Sequence, residues 1–454
     1  MNLELLHDKS SGRLLLIFAG WGMDTRPFRN LKAEGYDIAV VWDYTDPDLN
    51  TDSLKDYAEV VVLAWSMGVF EASRILPSCQ LPVTLSIAVN GTTTPVSDSK
   101  GIPPAIFDST LRGLTPDSLE RFNRRMCGSA SAANEFRSVK PLRDIESLRH
   151  ELKNIGERAA MTDASAYPWD IAVIGQRDMI FPLSAQRASW EGCDTIELNE
   201  PHLPDFQDII DRLLIKKDLV ARNFESSRGG YDADARYQHS VAERLVEKLS
   251  SVTDCRHFGT AIEIGAGSGR LTEAYTAKFF FDRLELWDIA RTDSDITNRI
   301  PGAVSITDDA EIRLKTVRTE SVDLVISAST LQWFNSPANG LRQIERILRR
   351  GGVAAIALYV EGTYATFSRE LGASLRYSAP RKLIEALSDS DILLSECDAE
   401  TVSFDSTADL LHHISHTGVS SGKSVSAGTL RRVIAENTLK QLEYSTFFLI
   451  FKKS

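Results

Sequence analysis

KKDLVARNFESSRGGYDADARYQ, residues 216–238, separates two stretches whose chemistries are unrelated, and reading it as a junction decides the fold. It is charged, carries the Gly229-Gly230 pair, and runs into an amphipathic helix with Val241, Leu245, Val246 and Leu249 at helical spacing. Upstream, the apolar run Val60 to Leu63 enters Ala64-Trp65-Ser66-Met67-Gly68, a strand-turn-helix context that exposes a serine hydroxyl. Downstream, Ala261 to Ile264 enters Gly265-Ala266-Gly267-Ser268-Gly269, a glycine loop of the kind that opens a nucleotide-type pocket. The expectation is two α/β domains, 1–215 and 223–454, joined by a linker at 216–222.

The totals agree with two domains. A chain of 454 residues exceeds what one hydrophobic core usually serves. With 43% hydrophobic and 25% charged residues it has the composition of an ordinary globular protein. A formal charge of -12 and a pI near 5.3 argue against a nonspecific nucleic-acid binder, which needs a basic face to displace counterions. Five cysteines are scattered singly, with no CxxC or Cys/His ligand spacing, so neither a disulfide framework nor a metal site is expected. No stretch approaches the roughly 20 apolar residues of a membrane span. A cytoplasmic protein with no membrane and no nucleic-acid partner is the expectation.

In the first half, Leu14 to Ala19 reads as a buried parallel strand that stops at Gly20-Trp21-Gly22. Ile38 to Trp42, Val60 to Leu63, Leu85 to Val89 and Ile171 to Ile174 read as further strands. Taken alone, AWSMG also fits a helix amino terminus capped by Ser66, and Ala64 stands where glycine is usual. The order of the partners favours a nucleophile. Asp178 follows the strand IAVIG and His202 follows the strand TIELN, the serine-acid-histidine order of an α/β-hydrolase. His202 would take the Ser66 proton, Asp178 would orient the imidazole, and the backbone N–H groups of Trp21 and Met67 would hold the oxyanion. Residues 103 to about 165 lack strand alternation and read as a helical lid, with Arg121, Arg124 and Arg125 on one helix.

LIFAGWGMD, the AWSMG elbow, FNRRMC and PHLPDF together resemble the BioG family of pimeloyl-[acyl-carrier-protein] methyl ester esterases, over nearly all of residues 1–215. That resemblance implies a carrier-bound dicarboxylate monomethyl ester as substrate. It also makes the lid arginines candidates for contact with an acidic acyl carrier protein.

In the second half, AIEIGAGSGRLT has Glu263 ahead of Gly265, Gly267 and Gly269, and Arg270 where a dinucleotide fold would want a further glycine. The ExGxGxG form is that of Rossmann-like class I methyltransferases that use S-adenosyl-L-methionine. Asp288 ends the next strand, where a carboxylate can accept ribose hydroxyls, and Asp309 falls where the third strand would approach the adenine. NFESSRGGYDADARYQ, LQW after the fourth strand, and SFDSTADLLHHISHTGVS resemble the BioC family of malonyl-[acyl-carrier-protein] methyltransferases, over 223–454. Tyr231, Gln332 and Trp333 are candidates for shaping the acceptor site, although Trp333 also fits plain core packing. SASTLQW lacks the asparagine usual in that family's SNxxxQW.

Together these resemblances imply one bifunctional enzyme of biotin precursor synthesis. It would methylate the free carboxyl of malonyl-carrier protein and later hydrolyse pimeloyl-carrier protein methyl ester to methanol and the free acid. Two alternatives remain: a methyltransferase fused to a non-catalytic carrier-docking module, or a methyltransferase and esterase pair acting on other acids.

Overall fold

Continuous apolar runs need cover on both faces, and both halves of the chain meet that need with a mostly parallel sheet flanked by helices. The computed structural model describes residues 1–8, 10–227, 236–291, 296–297, 300, 302–371, 375–416 and 425–454, which divide into two units, Met1–Arg212 and Leu213–Ser454.

In the first unit, β1 (Asn2–His7), β2 (Arg13–Phe18), β3 (Asp37–Trp42), β4 (Glu59–Trp65), β5 (Val83–Val89), β6 (Ile171–Gly175) and β7 (Asp194–Leu198) line up as β1-β3-β2-β4-β5-β6-β7. All pairings are parallel except β1 with β3. Leu14, Leu16, Val60 and Val62 are wholly buried in its core, each aliphatic side chain contributing about 1.5 to 3 kcal/mol by leaving water. Between β5 and β6 lie four helices, Pro104–Arg112, Pro116–Cys127, Ala130–Val139 and Ile145–Met161. Three of them start where the sequence supplies a cap: Thr115, Ser129 and Asp144 each accept a backbone N–H from three residues on. The second stops at Gly128 in the left-handed region, φ 68°.

In the second unit, β8 (His257–Ile264), β9 (Phe280–Asp288), β10 (Ala303–Thr307), β11 (Val322–Ala328), β12 (Leu348–Tyr359), β13 (Ser390–Ser403) and β14 (Gln441–Lys453) line up as β10-β9-β8-β11-β12-β14-β13. β14 runs antiparallel to both its neighbours, and the other pairings are parallel. The strand order reverses beside β8, and ligands of open α/β sheets bind in the crevice beyond the carboxyl ends there. The glycine loop emerges from that end of β8. These sheets are an α/β-hydrolase fold with a helical lid and a Rossmann-like class I methyltransferase fold.

The segment 216–222, expected as linker, is helical from Lys217 onward, in the helix Lys217–Ser227 of the second unit. Its charge misleads because Lys217 is buried against two carboxylates, Asp309 at 3.5 Å and Glu311 at 2.9 Å.

Candidate active sites

β4 delivers Ser66 into a turn with φ 59° and ψ -126°, a region that costs a non-glycine residue of order 1 to 3 kcal/mol, and the helix Met67–Ile75 starts directly after it. The turn is tight on its far side. A Cβ on Gly68 would lie 2.4 Å from the Phe18 carbonyl oxygen, and one on Gly91 would lie 2.2 Å from that of Ser66. The close approaches of this elbow fall at 68 and 91, while Ala64 is accommodated wholly buried in the sheet.

His202 Nε2 lies 3.0 Å from Ser66 Oγ, and His202 Nδ1 lies 2.8 Å from Asp178 Oδ2. Asp178 is held by the N–H groups of Ile180 (2.7 Å) and Phe181 (3.0 Å) on Oδ1 and by Gln186 Nε2 (3.1 Å) on Oδ2. With His202 only 1% exposed, water cannot reach either bond freely. This arrangement can move a proton from Ser66 to His202 while Asp178 fixes the ring orientation.

Trp21, Met67 and Gly20 line the cavity in front of Ser66, whose depth is apolar with Ile102, Phe107, Met126 and Leu152. Among the described residues, no hydrogen bond takes up the N–H of Trp21 or of Met67. Ile106 (57% exposed) and Met179 (64% exposed) sit at its mouth. Arg121, Arg124 and Arg125 are exposed on the helix Pro116–Cys127, but only Arg125 lines the cavity. Arg124 lies 3.8 Å from Glu120, which Arg137 also meets at 2.8 Å.

The second unit has a cavity at the carboxyl ends of β8 and β9, lined by Gly265, Gly267, Asp288, Asp309, Phe224 and Trp333 among others. The three loop glycines differ. A Cβ on Gly265 would strike Thr330 Oγ1 at 1.9 Å and one on Gly269 would strike Ile296 at 2.1 Å, whereas Gly267, with φ 50°, faces open space. Gly269 therefore brings its helix against Ile296 and does not line the cavity.

Asp288 Oδ2 accepts the Gly267 N–H and Oδ1 accepts the Ala290 N–H, both at 2.8 Å, so this carboxylate also shapes the loop. Asp309 caps the helix Ala310–Thr316 and pairs with Lys217. Glu263 lies behind the loop, fully buried, with Oε2 accepting from Thr272 Oγ1 (2.6 Å) and Tyr275 OH (2.8 Å). Among the described residues its Oε1 has no partner, and burial pushes its carboxyl up to about 7. Gln332 is buried too, its Nε2 bonded to the Ser329 carbonyl at 2.6 Å and its Oε1 without a partner among the described residues. Trp333 meets Phe224 edge-on at 5.7 Å over the cavity. Tyr231 lies outside the described residues. Among the described residues no group of His, Cys, Asp or Glu could hold a metal ion, and no helix is long and apolar enough to cross a membrane.

Residues 3–208 match the family described as pimeloyl-ACP methyl esterase BioG, and residues 262–356 match a methyltransferase-domain family. A malonyl-[acyl-carrier protein] O-methyltransferase of Bacteroides fragilis is 32% identical over 418 residues, covering 89% of this chain and 84% of that relative. The chain belongs to the malonyl-[acyl-carrier protein] O-methyltransferase family. A second malonyl-[acyl-carrier protein] O-methyltransferase, of Chlorobium luteolum, is 28% identical over 211 residues, 45% of this chain and 80% of that relative. The crystal structure of a BioG from Haemophilus influenzae is 33% identical, covering 45% of this chain and 94% of that one, with a TM-score of 0.42. This malonyl-[acyl-carrier protein] O-methyltransferase family member thus carries a BioG domain ahead of its methyltransferase domain.

Several supports of these sites carry little sequence signal. In the BioG domain, Asn90 Nδ2 donates to the carbonyls of Pro201 (2.8 Å) and His202 (3.0 Å), and Trp65 Nε1 donates to the His202 carbonyl (2.8 Å). Phe181 stacks on the His202 ring at 5.9 Å. Asn90 follows β5 directly with φ 46°, and that place at a parallel strand's carboxyl end is the one cue that could have singled it out. In the methyltransferase domain, Lys217 is the residue the linker expectation hid.

Proposed function

We propose that the chain carries both activities: S-adenosyl-L-methionine-dependent methylation of malonyl-acyl carrier protein, and Ser66-dependent hydrolysis of pimeloyl-acyl carrier protein methyl ester. The observation that carries the hydrolase reading is the unbroken Ser66–His202–Asp178 chain, at 3.0 and 2.8 Å, facing an apolar cavity. A docking module would have no use for it. Ser66 Oγ attacks the ester carbonyl as its proton passes to His202 Nε2, and the N–H groups of Trp21 and Met67 receive the developing oxyanion. His202 returns the proton to the departing methanol. It then activates water, which breaks the acyl-Ser66 bond and releases the free acid.

The residues of the second cavity fit a cationic nucleoside. Gly267 leaves room that a Cβ would fill, Asp288 borders that room where a carboxylate can accept ribose hydroxyls, and the buried carboxyl of Glu263 behind the loop suits a positive charge nearby. When bound, S-adenosyl-L-methionine supplies an electrophilic methyl group. The malonyl carboxylate is ionised at neutral pH and needs no general base, so the protein's part is to align it and exclude water. Trp333, which lines the cavity, would shape that acceptor side, with the buried Gln332 beside it in sequence.

Joining the two enzymes puts the esterase at high effective concentration near a methyl ester that chain elongation has yet to use. The lid pocket offers the discrimination this requires. The four methylenes separating a pimeloyl from a malonyl chain, at about 0.8 kcal/mol each, give roughly 3 kcal/mol and a preference on the order of a hundredfold. Ser66→Ala tests the whole proposal: hydrolysis of pimeloyl-carrier protein methyl ester should fall by about 10⁵-fold or more while methyl transfer to malonyl-carrier protein is unchanged. Hydrolysis that persists in this variant would remove Ser66 from the reaction.

A further inference from the structure

The loop that contributes the Trp21 N–H hangs from the lid. Trp21 Nε1 donates to the Leu148 carbonyl (2.9 Å), Gly22 N–H donates to Glu151 Oε2 (3.2 Å), and Leu142 N–H donates to Asp24 Oδ2 (2.9 Å). Leu142 precedes, and Leu148 and Glu151 lie on, the lid helix Ile145–Met161. Glu151 is fully buried, and its other oxygen accepts the Tyr44 N–H at 2.9 Å. Arg143 Nη1 lies 2.6 Å from Glu151 Oε2 and Arg143 Nη2 lies 2.9 Å from Asp43, so the carboxylate is paired as well as bonded.

A buried charge is a costly way to anchor a helix, since an apolar side chain of similar volume often serves stability as well or better. The neighbours of Glu151 on the same inward face, Leu148, Leu152 and Ile155, are all apolar and buried. What the carboxylate adds is an acceptor for two backbone N–H groups on two different loops, one of them next to Trp21. Gly22, with φ 77°, turns its N–H to this acceptor in a conformation few other residues adopt. We infer that Glu151 is a positioning residue of the hydrolase: from the lid it fixes the Gly20–Gly22 loop so that the Trp21 N–H faces the Ser66 site. The lid is then part of the catalytic machinery and not a removable cover.

The inference rests on the esterase reading, and steady-state kinetics of the full chain on the small ester p-nitrophenyl acetate separates the two. A small ester makes little use of the lid pocket, so loss of lid shape alone would not slow it. Glu151→Ala should lower kcat at least about tenfold with KM within about twofold, the pattern of lost transition-state stabilisation. Glu151→Gln keeps the shape and one acceptor oxygen, and should fall between Glu151→Ala and the unaltered chain. Should Glu151→Ala fail to fold, Glu151→Gln decides: a kcat about threefold or more below that of the unaltered chain at unchanged KM supports the inference. A folded variant with unchanged kcat, or with KM alone raised, overturns it. If the unaltered chain shows no hydrolysis that Ser66→Ala removes, the esterase reading fails first and this inference falls with it.

Discussion

The Ser66 site and the glycine-loop cavity are organised in opposite ways. In the first, Ser66, His202 and Asp178 satisfy one another, and Asn90, Gln186 and Trp65 hold them from behind. In the second, Gly267 faces open space, and Asp288, which borders the cavity, accepts the Gly267 and Ala290 N–H groups. The difference teaches what each chemistry asks of a protein. Acyl transfer through a serine needs a proton path fixed before substrate arrives, so its polar groups are paired in advance. Methyl transfer to an ionised carboxylate needs no proton path, so such a site needs only room for its ligand and a loop held open around it.

Three variants break or sharpen this contrast. The largest effect is expected at Lys217, which is 3% exposed and pairs with both Asp309 and Glu311 beside the glycine-loop cavity. Lys217→Ala leaves two carboxylates buried without it, at a cost of about 3 to 5 kcal/mol to the methyltransferase domain. Calorimetry should show that domain's transition moving down while ester hydrolysis at room temperature is kept; an unmoved transition would mean the buried pair contributes no net stability.

A smaller, pH-dependent effect is expected at Glu263. Its carboxyl is raised from the ordinary 4.5 to about 7, mainly by burial, so its contribution to stability is fully present below about pH 4.5 and lost as pH rises through about 7. Glu263→Gln does not ionise. Its advantage over the parent in thermal unfolding should therefore grow between those values to at most about 3 kcal/mol and stay level above them. S-adenosyl-L-methionine should narrow the gap by favouring the charged carboxylate. A difference independent of pH would show that Glu263 does not titrate in this range.

The smallest effect is expected on the lid surface. Exchanging Arg121, Arg124 and Arg125 for glutamate should slow hydrolysis of a carrier-bound ester several-fold and spare p-nitrophenyl acetate, and added salt should mimic it. Arg124 should matter least, because Glu120 already draws on its charge. Equal loss on both substrates would assign these arginines to folding.

What was legible in the sequence follows from how local each signal is. Ser66 and Asp178 each follow an apolar buried strand and His202 follows the alternating strand β7, and their order along the chain was enough to expect the cluster that the structure brings together. Gly265, Gly267 and Asp288 were legible for the same reason. Gly269 and Glu263 share that motif but stand outside the cavity, one packing a helix and the other sitting behind the loop. Spacing along a chain does not say which way a side chain faces. Glu151, Asn90 and Lys217 were illegible because each acts on a backbone or carboxylate distant in sequence, as with Asn90 and His202. β1 escaped notice as a half-exposed edge strand without alternation, and β14 because its place depends on β12 and β13.

The central claim is that one polypeptide both adds and removes a methyl group, on acyl chains of different length. Mass spectrometry of carrier-bound acyl groups tests it most directly, with the unaltered chain given malonyl-carrier protein, pimeloyl-carrier protein methyl ester and S-adenosyl-L-methionine together. The account predicts that methyl malonyl-carrier protein accumulates while the pimeloyl ester is converted to the free acid. Persistence of the pimeloyl ester, or cofactor consumption and methanol release with no build-up of the malonyl ester, would contradict it.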